Sequence, residues 1–509
     1  MDAPQCAPEA LEGNTKLPDK KSDFDVKRAL FTLLGVALFC IVYFSPDWPA
    51  AVDPKGKEFI LTHQGKAAIA LFLLTVTWWV TEVVPIGVTS IAIGVIQALF
   101  LIRDARVAFT DFMAPSVWFI FGSLIIGMVF TKTGLTRRLA YKMLVLVGER
   151  TSMIYLGCFV MTSALTLVMA HTAVAATVFP LFLAIHALYS EDDKPTRFGK
   201  GLFMGMAFVA GAGSIITLLG AARGAVAIGF FAKLTGKSIS FFELSYYMAP
   251  VGIVMTLLLW AYFMIYCKPE KKTIPGLRER AKSLYSKLGP ITGKEILTVT
   301  IVIALIVVLG LRSFFPDELG FLHKSAVILT ATVLFFLLKI LDIDDLEKIP
   351  WNIILLFGGA MSIGFCLWDT KAAEWLAIMW LGMFETAPEF VFIMGIAFFV
   401  LVMTNLIMNV AAIAISLPVA LVIAPYIGEY GVSHEVILFA SLVTAGMPFL
   451  LLVGAAPNAI AYASNQFTTK QFFWAGIPAS LLLMVVLGVF VWWIWPLMGM
   501  PMYLNPPPG

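Results

Sequence analysis

The chain has 509 residues, of which 60% are hydrophobic and only 13% charged, and a formal net charge of +3. A soluble protein cannot hide that much apolar surface, because charged side chains must cover its outside. The apolar residues fall in long, nearly charge-free blocks rather than short alternating segments, which excludes a lipid-exposed β-barrel and predicts an all-α membrane protein. The small net charge says little about partners beyond the lipid bilayer, and no nucleic acid is expected.

Residues 1–28 are polar, carry no cleavable leader, and read as a cytoplasmic N-terminal tail. Apolar spans follow at 29–46, 64–81, 82–102 and 113–132. The block 151–189 is as long as two short helices and is broken near its middle by a polar cluster, which suggests a hairpin. A span over 199–230, itself interrupted by glycines, and another at 247–267 complete the first half, 29–267. The hydrophilic stretch 268–293 reads as a cytoplasmic linker with a short amphipathic helix. The second half, 294–498, holds spans at 294–314, 324–341 and 351–370, a second broken block at 388–428, a broken span at 435–466 and a last span at 472–496. An extracytoplasmic tail, 499–509, ends the chain.

If both broken blocks are re-entrant hairpins, about eleven transmembrane helices remain, with the N-terminus inside and the C-terminus outside. Of the 35 Lys and Arg residues, 24 then fall inside, as the positive-inside rule requires. Two pairs of true spans would give the same parity, so charge leaves that version open; the short half-segments argue for hairpins. Cys6, Cys40, Cys158, Cys267 and Cys366 are scattered without metal-type spacing and read as small core residues. His63, His186, His323 and His434 lie in loops or at helix ends and carry no special reading.

Self-similarity is the most informative signal. HTAVAATVFPL (171–181) matches NVAAIAISLPV (409–419) at an offset of 238, with Pro180 on Pro418 and Thr166 on Thr404. LLGAARGAVAI (218–228) matches LVGAAPNAIAY (452–462) at an offset of 234, and WFIFGSLIIG (118–127) resembles IILLFGGAMSIG (353–364). An odd number of crossings between the copies makes them an inverted repeat, the construction of secondary transporters, whose site lies at the repeat interface. Helix breaks are expected at Ala170–Thr172 and Met408–Val410, around Gly211–Gly213 and Gly446–Pro448, and at Gly220–Gly224 and Gly454–Asn458. Lipid cannot satisfy the freed backbone groups. Half-helix N-termini favour an anion and exposed carbonyls a cation.

TEVVPIGVTS (81–90), IPWNIILLFGG (349–359) and GAAPNAIAYAS (454–464) resemble the divalent anion:sodium symporter family, and the order of hairpins and spans agrees over roughly 29–498. The resemblance implies a homodimer in the cell inner (plasma) membrane, with a scaffold and a transport domain that moves elevator-fashion. It implies uptake or exchange of dicarboxylates, citrate, sulfate or similar anions, usually with Na+ as coupling ion and no cofactor. The family carries Ser-Asn-Thr at both hairpin tips, where Asn and Thr hold substrate carboxylates and Ser and Asn help hold sodium. Here the tips read Ala170-His171-Thr172 and Met408-Asn409-Val410, so Thr172 and Asn409 keep that chemistry. The family's Pro-Pro-Asn survives in part as Ala456-Pro457-Asn458 and becomes Ala222-Arg223-Gly224 in the first copy. The resemblance therefore implies His171, Thr172, Arg223, Asn409, Pro457 and Asn458 as substrate-binding residues. Thr404 and Asn409 are the candidate single sodium site, and Thr166 marks a degenerate first one.

Arg223 is the most unusual residue. A charge at membrane depth costs at least roughly 2.5–3.5 kcal/mol and normally has a partner, yet its broken segment holds no acid. An anionic substrate would neutralise it through a two-pronged contact, or it caps carbonyls near a span end. His171 can donate to an anion, titrate near neutral pH or merely pack. Two cationic or potentially cationic groups near a depleted sodium site predict that this site is absent. Transport is then sodium-independent exchange, proton-coupled through His171, or driven by one sodium at Thr404 and Asn409. Loss of tip hydroxyls places a monocarboxylate or sulfonate beside a dicarboxylate as the small anionic substrate. The chain shows no HExxH, GxSxG or paired acids, so no enzyme is expected. An anion channel fits the glycine-rich breaks but not the repeat.

Overall fold

In the computed structural model of the chain, residues 26–52, 58–190, 194–381 and 388–505 are described. Most of the 1–28 tail, Cys6 and the end of the 499–509 tail lie outside the described residues. Long apolar runs form single helices, whereas a glycine cluster or a polar tip divides a run in two. The first half contains α1 (Val26–Tyr43), α2 (His63–Thr81), α3 (Ile86–Leu99), α4 (Ala105–Thr110), α5 (Pro115–Thr133) and α6 (Leu135–Val147). A two-residue antiparallel ladder, Ala51–Val52 with Glu58–Phe59, lies between α1 and α2. The first broken block is α7 (Thr151–Leu165) and α8 (His171–Tyr189). The glycine-interrupted span that follows is α9 (Arg197–Gly213) and α10 (Ala222–Thr235). Next come α11 (Phe241–Tyr266) and, in the linker, the amphipathic α12 (Leu277–Lys287).

The second half repeats the plan with α13 (Gly293–Phe314), α14 (Pro316–Leu319), α15 (Lys324–Leu337), α16 (Ile343–Glu347), α17 (Trp351–Asp369) and α18 (Ala372–Leu381). The second hairpin is α19 (Glu389–Leu406) and α20 (Asn409–Ile423), and the second broken span is α21 (His434–Ala445) and α22 (Ala456–Tyr462). The long α23 (Thr469–Val489) runs through a π-helical turn into α24 (Trp495–Leu497). Among the described residues, nine helical stretches are long and apolar enough to cross a membrane. That tally takes in the hairpin arms α8, α19 and α20, while the broken spans, counted whole in the sequence, are cut into pieces too short to qualify.

Several elements differ from the sequence expectation: α18 falls where no span was expected, and α15 covers only Lys324–Leu337 of the span 324–341. The span 82–102 is only 14 residues of helix, because Pro85 starts it. The stretch 132–150, which lies between the expected span 113–132 and the first broken block, contains α6. Thr136, Ala140 and Leu144 form a buried stripe at i, i+4 and i+8, and Leu135 and Arg138 are buried beside it. Gly134, at φ +84°, makes the turn from α5 that a side chain would resist.

The halves interleave rather than sit side by side. Helix α3 lies against α17 and α15 against α5; α10 lies against α20 and α22 against α8. Asn352 Oδ1 at the start of α17 accepts from the Gly87 amide of α3 at 2.8 Å. Charged clusters close the helix ends. Arg103 donates to Asp111 and to Asp369, each at 2.6 Å, and Lys233 of α10 reaches Asp369 at 3.0 Å. At the opposite end Lys132 pairs with Asp342 at 2.9 Å and also with Asp345. The linker is fastened at both ends. Glu270 accepts from the Arg197 and Phe198 amides and from the Tyr189 hydroxyl at the base of the first hairpin. Arg138 of α6 donates to Glu295 of α13 and to the Gly289 and Pro290 carbonyls.

Candidate functional site

Four helices, α8, α10, α20 and α22, begin at breaks, and the packing pairs them across the repeats. In the first hairpin the chain turns between Thr166 and Ala170 and is sealed onto the break that follows α9. The His171 amide donates to the Gly220 carbonyl at 3.0 Å, and its Nδ1 lies 3.3 Å from the same oxygen. The Thr217 hydroxyl donates to the Leu167 carbonyl at 2.8 Å. The second hairpin is sealed onto its own break through Asn405, whose side-chain oxygen accepts from the Leu450 and Leu451 amides at 2.7 and 3.3 Å. The Asn458 side chain donates to the Pro448 and Leu451 carbonyls at 2.9 and 3.1 Å.

One contact recurs in both copies. A Cβ on Gly220 would meet the Thr166 carbonyl oxygen at 2.7 Å, and a Cβ on Gly454 would meet the Thr404 carbonyl oxygen at 2.8 Å. Only glycine lets the backbone come that close. The offsets read from the sequence thus correspond to one three-dimensional contact made twice.

The two threonines differ in what surrounds their hydroxyls. Thr404 Oγ1 lies 3.2 Å from Asn409 Oδ1 and 3.1 Å from the Ala445 carbonyl. One hydroxyl proton therefore serves two acceptors, leaving a buried cluster of three oxygens with lone pairs to spare. Thr166 Oγ1 donates to the Ser163 carbonyl at 2.6 Å. The residue equivalent to Asn409 is His171, whose ring turns to Gly220 instead. At the position of Asn409, His171 brings no side-chain oxygen to the first cluster.

Arg223 is 2% exposed. Its Nη2 donates to Ser214 Oγ at 2.6 Å, while its Nη1 is buried without a hydrogen-bond partner among the described residues. A Cβ on Gly446 would lie 2.9 Å from the same Nη2. The guanidinium therefore sits where the break after α9 meets the break after α21. The cavity beside it, lined by Ser214, Leu244, Met248 and Leu442 among others, is about 10 Å³, room for about one water. In this conformation a carboxylate does not fit there.

His171 and Thr172 lie elsewhere, in an open groove of about 450 Å³ between α5, α8 and the start of α17. Ala222 lines this groove, while Arg223, one residue on, faces the small cavity. Asn409 is buried with Thr404 and does not reach the groove; Pro457 is buried in the first turn of α22. The structure thus makes three adjoining groups: His171 with Thr172, Arg223 between the breaks, and Thr404 with Asn409. Gly220 links the first to the second, and Ala445–Gly446 links the second to the third. Ser214, Thr217 and Asn405 were missed in the sequence; their signal was polarity inside apolar blocks next to glycines or to Thr404. His186 and His323 make local hydrogen bonds, to Thr196 and to the Ser325 amide.

The sodium:sulfate symporter transmembrane-region model matches residues 27–500. A protein of Staphylococcus saprophyticus called sodium-dependent dicarboxylate transporter SdcS is 24% identical over 500 residues, covering 94% of this chain and 93% of that one. The Staphylococcus aureus protein of the same name is 24% identical over 501 residues with the same coverage. The crystal structure of the YdaH transporter of Alcanivorax borkumensis is similar in fold, with a TM-score of 0.52 at 16% identity over 94% of this chain and 99% of that one.

Proposed function

The chain belongs to the sodium:sulfate symporter family, a family of multi-pass membrane transporters and not of enzymes, and from that we propose a secondary transporter of a small anion in which a built-in guanidinium replaces one coupling cation. The observation that carries the reading is Arg223, a buried charge with no carboxylate partner among the described residues, held between the breaks of both halves. A fixed positive charge in low dielectric favours an anion nearby and repels a free sodium from the same region. The first cluster, with Thr166 turned onto Ser163 and His171 in place of a tip amide, supports the loss of a sodium site there. The three-oxygen cluster of Thr404, Asn409 and Ala445 supports retention of one at the second tip, since hard cations take oxygen ligands. Arg223 acts through its charge on an anion at the tips. His171 and Thr172 supply donors from the groove side, with Pro457 and Asn458 shaping the second break.

The substrate we favour is charged mainly at one end, a monocarboxylate or sulfonate, because Val410 brings no hydroxyl to the second tip. The names of the relatives favour a dicarboxylate carried with sodium as the second reading. The charge bias of the loops supports a cytoplasmic N-terminus and an extracytoplasmic C-terminus, and the family supports the plasma membrane as the location. The interleaved halves suit elevator-type alternating access in a homodimer. Uptake by vesicles in sodium against choline tests the coupling. We expect at most one sodium per substrate, with Asn409→Ala abolishing any sodium dependence. Steep dependence on more than one sodium would refute the reading. Saturable counterflow in preloaded vesicles separates a carrier from an anion channel.

A further inference from the structure

The two hairpins are related by the repeat but are not in equivalent environments. In α20 every residue from Asn409 to Pro418 is buried. In the matching part of α8, from His171 to Pro180, only Val174, Ala175 and Val178 are. The difference is the groove along α8. From His171 and Thr172 it runs for about 450 Å³ to Thr131 and Thr177, which also line a second cavity of about 420 Å³ reaching Arg137, Tyr141 and Leu284 of the linker helix. The two cavities adjoin where the Thr131 and Thr177 hydroxyls lie 3.4 Å apart. On the other side, a cavity of about 290 Å³ lies against the far end of α20, reaches Leu421 and does not extend to its tip.

The charges at the open end sum to zero over three cations and three carboxylates, but they are unevenly paired. Lys132, which lines the groove, is held by Asp342 and Asp345, and Arg138 by Glu295. Arg137 between them is exposed and lines the outer cavity without an ion pair among the described residues. We propose that the groove between α5 and α8 is the anion's route between the linker side and the first hairpin tip, and that Arg137 at its mouth draws anions in. The assignment rests on the transport reading for what travels, but not for whether the groove is wet and selects negative charge. Its walls are largely apolar, and the Thr131 and Thr177 hydroxyls already donate to the Gly127 and Ala173 carbonyls, so the groove passes an anion without gripping it.

The test is thiol accessibility, which needs no transport. Thr177→Cys in the otherwise intact protein is treated with a sulfonate-bearing and a trimethylammonium-bearing methanethiosulfonate of similar size. The unmodified protein gives the background from its own cysteines. The anionic reagent should react faster. Arg137→Glu should slow it about tenfold at low salt and speed the cationic one, as steering by a single charged mouth predicts, while Arg137→Lys keeps the wild-type preference. Loss of the effect at high salt supports the same reading. If both charged reagents react equally and ignore residue 137, or if only an uncharged maleimide reaches the introduced thiol because lipid fills the groove, the proposal fails. A protein that shows the charge preference but no uptake would sink the transport reading and leave the groove standing.

Discussion

Replacing Arg223 by methionine separates a functional guanidinium from a structural one. The change forfeits the hydrogen bond to Ser214, at 2.6 Å a charge-assisted contact worth roughly 1.5–3 kcal/mol. It also removes a buried donor, Nη1, that has no hydrogen-bond partner among the described residues and costs the native protein roughly 1–3 kcal/mol. The two nearly cancel, and apolar replacement of a buried charge of similar volume is often neutral or better. Arg223→Met should therefore unfold within a few degrees of the parent. Ligand response is the other half of the measurement. An anion present at a hundred times its dissociation constant stabilises the parent by about 2.7 kcal/mol, and that increment should vanish in the variant. The assay is thermal unfolding in detergent with a monocarboxylate, an alkanesulfonate, a four-carbon dicarboxylate or sulfate, each in sodium and in choline. A variant that loses much basal stability yet keeps its ligand shift would show that Arg223 only caps the break, and the fixed-charge argument would be wrong.

Three further outcomes follow from the geometry. Gly220→Ala places a methyl 2.7 Å from both the Thr166 and Ser214 carbonyl oxygens; overpacking of this kind costs roughly 1–3 kcal/mol, so thermal stability should fall. Gly310→Ala in α13, where nothing lies within 4 Å, should hold or raise it. At Glu270, outside the spans, burial pushes the carboxyl's pKa up, but hydrogen bonds from the Arg197 and Phe198 amides and the Tyr189 hydroxyl outweigh it and hold the group below the usual glutamate range. Because the folded value is the lower one, the stabilisation is present above the unfolded-state pKa and is lost as pH falls through the folded one. Unfolding measured from neutral to acid should show Glu270→Gln less stable at neutral pH and less sensitive to acid than the parent. Parallel curves for the two would rule this out.

Much of the helical plan is visible in the sequence because insertion into lipid depends on local composition. The spans expected at 64–81 and 351–370 correspond to His63–Thr81 and Trp351–Asp369, and the hairpin breaks fall at His171 and Asn409 as the polar tips suggest. Short-range rules fail where a helix is short or charged, or starts at a proline. The helix at Leu135–Val147 is too charged to read as a span, and Pro85 trims the start of the span expected at 82–102. Side-chain direction is less legible still. Successive residues in a first helical turn point about 100° apart, so Ala222 faces the groove and Arg223 does not, although the two are neighbours in the sequence. The partner of Arg223, Ser214, lies across a break whose path no periodicity describes. Asn405 bridges from the hairpin to a loop 45 residues on, a distance at which patterning is silent.

The exchange of neighbours between the halves bears on how the protein is made. When α5 leaves the ribosome, the helix that covers it, α15, is still some 200 residues from being synthesised. Helix α3 must likewise wait for α17. Neither half is a folding unit, so a polypeptide stopped at the linker would sit in the bilayer with its contact faces bare. Quality control has a long window in which to act on such a chain, and a nonsense mutation anywhere in the second half should yield an unstable fragment rather than a half-working carrier.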